Sequence, residues 1–127
     1  MLVIGVNKYK HHRPLDNAVR DATAISGKFR AKGAQVFAAY DCTKTELEKV
    51  MSAFFASIQP GDAVVIYFAG HGCEYNNVNR LMLISESEEP MIREDSLNVL
   101  VLTNRFVHCE AVLVIAPTLN LCTITIG

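Results

Sequence analysis

The segment Asp62-Ala-Val-Val-Ile-Tyr-Phe-Ala-Gly-His-Gly72 is an apolar run that ends in Gly70-His71-Gly72, which puts an imidazole where a buried strand would leave the core. An imidazole changes charge near neutral pH, so His71 at such a place can act as a general base or acid. Its flanking glycines let the backbone come close to a ligand. The chain also carries Cys42, Cys73, Cys109 and Cys122. They lack the close pairing of thiolate zinc sites, which leaves nucleophile or apolar filler as the open roles. A thiolate served by His71 and by backbone N–H donors for an oxyanion would carry out acyl transfer. Cys42 is explained by its place before a helix, Cys73 lies two residues from His71, and Cys109 sits beside a predicted helix. Cys122 follows a predicted core strand and can share an edge with His71 if the two strands are parallel and adjacent. The plainer alternative is an unreactive loop histidine and a cysteine that fills the core.

The elements that would hold these groups can be read from periodicity. Leu2-Val-Ile-Gly-Val6 suits a buried strand, and Asn7 to Pro14 a polar connection closed by a proline. Leu15, Val19, Ala22, Ile25 and Phe29 recur at steps of three or four, one stripe of a helix that Lys32-Gly33 would stop. Ala34–Asp41 reads as a second strand. Thr43 and Glu46 make a capping box before the apolar stripe Leu47, Val50, Met51, Phe54, Phe55 and Ile58. The residues from Cys73 to Arg80 suit a loop or hairpin, Leu81–Ile84 a short strand, and Ser85–Pro90 an acidic turn. Leu97–Val107 is a predicted helix and Val112–Ala116 a further buried strand, with Pro117 awkward inside it. Strands that are apolar throughout and alternate with helices predict an α/β fold, a mostly parallel sheet with helices on both faces.

With 12 Lys+Arg against 13 Asp+Glu, the net charge of −1 gives no attraction to nucleic acid or to an anionic membrane surface, so neither is an expected partner. No apolar stretch reaches the length of a membrane span, and the start lacks the pattern of a signal peptide, so the expected location is the cytoplasm. Thiols there stay reduced, and no disulfide framework is expected. At 127 residues the chain suits one domain over 1–127, with no repeat or linker to divide it. His11 and His12 in the polar connection make a poor metal-ligand set, and the Glu86, Glu88, Glu89 run lacks the ligand spacing of a calcium loop.

Three segments together resemble the caspase-like peptidase domain, more closely its paracaspase and metacaspase branches than the true caspases. Leu2-Val-Ile-Gly-Val-Asn-Lys-Tyr9 is similar to that family's first strand. Leu15-Asp-Asn-Ala-Val-Arg-Asp-Ala22 resembles the start of its first helix, and Tyr67-Phe-Ala-Gly-His-Gly72 its catalytic-histidine motif. Cys122 lies 122 − 71 = 51 residues beyond His71, in keeping with the roughly 50-residue separation of caspases. The resemblance implies that His71 is the catalytic histidine and Cys122 the counterpart of the nucleophile. It also implies that the Gly72 N–H lines an oxyanion hole with that of the cysteine. Locally, Asn120-Leu-Cys-Thr123 departs from the family's Asp-x-Cys, and the Gln-Ala-Cys form is absent.

Members that cut after Arg or Lys line the substrate pocket with carboxylates, one from the first helix and one two residues before the cysteine. Asp21 corresponds to the first, with Asp16 as a second choice, and Asn120 stands at the other place with an amide instead of a charge. The resemblance implies a protein or peptide substrate and no metal or organic cofactor. The chain stops five residues after Cys122, where the family fold continues, so it reads as the N-terminal, large-subunit-like part of such a domain. Two functions follow as expectations: a cysteine endopeptidase, or an inactive caspase-like module that pairs with a caspase-like partner chain. A small-molecule-binding α/β domain is a weaker third, since no phosphate loop or dinucleotide fingerprint is present.

Overall fold

A computed structural model describes residues 1–10, 13–75, 78–82, 96–98, 111–116 and 121–126. The chain runs β1 (Leu2–Gly5), α1 (Ala18–Ala31), β2 (Phe37–Tyr40), α2 (Lys44–Ser57) and β3 (Ala63–Ala69). It continues through β4 (Gly72–Tyr75), β5 (Val78–Met82), β6 (Ser96–Asn98), β7 (Ala111–Ala116) and β8 (Leu121–Ile126). Five of these strands form one sheet in the order β2-β1-β3-β7-β8. β1 pairs in parallel with β2 and β3, β3 pairs in parallel with β7, and only β8 runs antiparallel to its neighbour. A smaller antiparallel sheet, β4-β5-β6, follows the exit from β3. This is the α/β architecture that the apolar strands predict.

Alternation along β1 assigns its two faces. Leu2 and Ile4 pack with Ile66 and Phe68 of β3 against Leu47, Met51 and Phe54 of α2. Val3 packs on the other face with Ala18 and Ala22 of α1. One helix thus covers each face, and both faces of β1 are dry, which is why that strand is apolar without interruption. Gly5 marks the closest approach of α1, where a Cβ would stand 2.8 Å from Ala22 Cβ and 3.1 Å from Val19 Cα.

The helix ends follow local chemistry. Thr43 Oγ1 accepts the Glu46 N–H at 3.2 Å while the Glu46 carboxylate accepts the Thr43 N–H at 3.0 Å, the reciprocal capping box. α1 has no such cap of its own: Asn7, from the loop after β1, lends Oδ1 to the Val19 N–H at 3.2 Å. Beyond α1, Gly33 takes φ 88°, the left-handed turn that ends the helix.

Two expectations change. Leu97 and Asn98 are not helical but belong to β6, opposite Leu81 and Arg80 of β5. Leu81 is fully buried, and a strand against it completes a three-stranded sheet, a tertiary pairing that overrides a short helical periodicity; the rest of 97–107 lies outside the described residues. Cys122 does not sit at the free end of a core strand but is the second residue of β8, opposite Ile115. The β-branched run Thr123-Ile-Thr-Ile126 favours that strand. β7 ends at Ala116, immediately before Pro117, as a residue without an N–H requires. Among the described residues no helix is long and apolar enough to cross a membrane.

Candidate active site

The strand order places the site. The chain leaves β1 towards β2 on one side, and β3 lies on the other, so a crevice opens outside the carboxyl ends of β1 and β3. The loop after β1 supplies one wall and the exit from β3 the other. His71 is the second residue beyond β3 and half-buried.

Three contacts from the β1–α1 loop hold His71. Its backbone N–H donates to Tyr9 Oη at 2.8 Å. Its ring lies 4.6 Å, centroid to centroid, from the Tyr9 ring with the planes inclined at 47°. Its Nε2 lies 2.7 Å from the carbonyl oxygen of Arg13. A carbonyl only accepts, so this contact requires Nε2 to carry the proton, and the neutral ring then keeps its lone pair on Nδ1. Nδ1 is thus the atom that can take a proton from a nucleophile.

Gly70 closes the packing between these residues. A Cβ there would stand 2.6 Å from Tyr9 Oη and 2.8 Å from Phe68 Cζ, so the glycine is needed for space beside Tyr9. The loop is itself tied down through Asn7. Its carbonyl accepts the N–H of Tyr9 at 3.1 Å and of Leu15 at 2.9 Å, closing the loop on itself.

Beside His71 lies a pocket of about 320 Å³ lined by Arg13, Leu15, Asp16, Asp21, Tyr67 and Gly70, among others. Both acidic residues singled out in the sequence therefore line one cavity, together with Gly70, the neighbour of the histidine. Burial, and secondarily the Asp21 carboxylate, push the Tyr67 hydroxyl above its usual range. Asp16 and Asp21 outnumber the one cationic residue of the lining, Arg13, so the pocket has one negative charge more than positive.

The cysteines divide. Cys42 is half-buried, donates to the Tyr40 carbonyl at 3.4 Å, and has its thiol pushed up by burial and then by Glu46. Those are the marks of an unreactive thiol. Register places Cys122 in one row with Ile115, Tyr67 and Val3 across β8, β7, β3 and β1, near the carboxyl end of the sheet that His71 also occupies. Gly72 begins β4. Asn120, His11, His12, His108, Cys109 and the acidic run 86–89 lie outside the described residues. Among the described residues no group of three His, Cys, Asp or Glu side chains could hold a metal.

Sequence reasoning did not single out Tyr9, the Arg13 carbonyl or Tyr67 as parts of the site. Arg13 acts through its backbone, which no side-chain pattern can signal. Tyr9 was legible only as an aromatic in an otherwise polar connection and as the last residue of the family-like first segment.

The chain belongs to the caspase domain family, whose model matches residues 1–120. The match takes in Asp16, Asp21, His71 and Gly72 and ends before Cys122. The family is one of cysteine peptidases. A comparison with curated proteins gave no match.

Proposed function

We propose that this chain is the histidine-bearing part of a caspase-like cysteine endopeptidase, a single domain over 1–127 of the paracaspase or metacaspase type, that cuts after basic residues. Cys122 is the nucleophile. Its thiol proton passes to His71 Nδ1, and the sulfur attacks the scissile carbonyl carbon. The oxyanion is held by the N–H groups of Gly72 and Cys122. His71 then returns the proton to the leaving amine, and water, deprotonated by the same imidazole, hydrolyses the thioester. A guanidinium or ammonium of the substrate would enter between Asp16 and Asp21, with Asn120 offering an amide oxygen. No cofactor takes part.

The observation that carries this reading is the pocket itself: Gly70, the neighbour of His71, lines the same cavity as Asp16 and Asp21. One specific observation favours a second reading, an inactive module that binds a caspase-like partner chain. Cys122 stands inside an antiparallel strand rather than at the loop beyond a parallel one. An activity probe with an arginyl acyloxymethyl ketone warhead separates the two. Covalent capture of Cys122 that is lost in His71→Ala supports the peptidase, whereas an unmodified Cys122 with no turnover of arginyl or lysyl peptides selects the module.

A further inference from the structure

We infer that Tyr9 is the positioning residue of His71, an assignment that rests on His71 being the catalytic base. Tyr9 is a buried residue and acts through the histidine. Its hydroxyl is the acceptor for the His71 backbone N–H at 2.8 Å, which fixes the Cα from which the imidazole hangs. Its ring lies 4.6 Å from the imidazole and blocks the rotamers on that side. The Arg13 carbonyl at 2.7 Å from Nε2 completes the restraint from the same loop.

Two features show that the arrangement is built rather than incidental. Tyr9 is only 5 % exposed and packs in the core cluster with Phe68, so its hydroxyl cannot swing to another place. Gly70 leaves open the volume that the hydroxyl occupies, since a Cβ would stand 2.6 Å from Oη. A core tyrosine serving only as filler needs neither an acceptor aimed at the strand exit nor a glycine opposite its oxygen. Placing the imidazole matters because proton transfer requires hydrogen-bond reach, and a loosely held ring loses that geometry most of the time.

Tyr9→Phe keeps the ring and removes the acceptor, and Tyr9→Leu removes both. Both variants of the full chain would be examined by nuclear magnetic resonance with labelled histidine, the His71 signals being assigned by their loss in His71→Ala. The wild-type imidazole is expected as the Nε2–H tautomer. In Tyr9→Phe the His71 amide proton should exchange about tenfold faster, the order expected for loss of one net hydrogen bond. In Tyr9→Leu the imidazole should become a mixture of tautomers while amides of β1 keep their protection. Unchanged exchange and tautomer in both variants would overturn the positioning role. The catalytic reading stands or falls separately, on whether His71→Ala abolishes capture of Cys122 by the arginyl probe.

Discussion

The carboxylate of Asp41 accepts the backbone N–H of Asn7 at 2.7 Å, across 34 residues of chain, and that of Lys8 at 3.0 Å. Asp41 stands just beyond β2 and Asn7 just beyond β1, so the pair locks two adjacent strand exits together. Asn7 in turn caps α1 and closes the loop that carries Tyr9 and Arg13. The residues that grip His71 are therefore tied to the exit of β2.

Removing that carboxylate should loosen the loop. Asp41→Ala leaves two backbone N–H groups without their acceptor, and it places alanine at φ 49°, where Asp and Asn are tolerated better. A loss of about 1–3 kcal/mol is expected. Asp41→Asn retains an acceptor oxygen and the tolerated backbone, so it should lose less. Urea unfolding of the three proteins checks the order, and an alanine variant as stable as the wild type would refute the lock.

Glycines at three positions should respond differently to alanine. At Gly70 and Gly5 the new Cβ meets atoms at 2.6 and 2.8 Å, and overpacking of about 1–3 kcal/mol follows. Gly27 lies inside α1 with nothing within 4 Å of its would-be Cβ. Gly27→Ala should stabilise by about 0.5–1 kcal/mol through helix propensity and a less flexible unfolded chain. Thermal midpoints that fell in all three variants would contradict this reading of the packing.

Much of this fold was legible because its signals are local. The run ending in His71 announces a buried strand, Thr43 and Glu46 announce a helix start, and Gly33 announces a helix stop. The helical expectation for Leu97 fails because three residues of strand leave no periodicity of their own, and the conformation there follows from pairing with β5. The site was legible in its chemistry and illegible in its support. Tyr9 and His71 are 62 residues apart and Arg13 and His71 58, and no short pattern encodes contacts of that range. Asp21 could be named from a resemblance, but its sharing of a pocket with Tyr67 required the fold.

The acidic pocket predicts substrate preference. If Asp21 receives a basic side chain, Asp21→Asn should lower kcat/KM for arginyl peptides about tenfold, the lower end for a hydrogen bond to a charge because Asp21 is exposed. Asp16→Asn should have a smaller effect if it is the more distant partner. Rates on peptides with an uncharged residue before the cut should change little. Equal losses on charged and uncharged substrates would point to a structural role for Asp21 instead.

Tyr67 offers a pH test of the same pocket. Its hydroxyl is pushed above 10 by burial first and by the Asp21 carboxylate second. Because the folded state holds this proton more tightly than the unfolded chain, the associated stability is fully present below the ordinary tyrosine value. It declines as pH rises from there through the folded pKa. The phenolate absorbance of Tyr67, obtained as the difference between wild type and Tyr67→Phe, should therefore appear at higher pH than in a free tyrosine peptide. Asp21→Asn removes the second cause but not the first, so it should bring the transition part of the way back. A midpoint unmoved by Asp21→Asn would show that burial alone sets it.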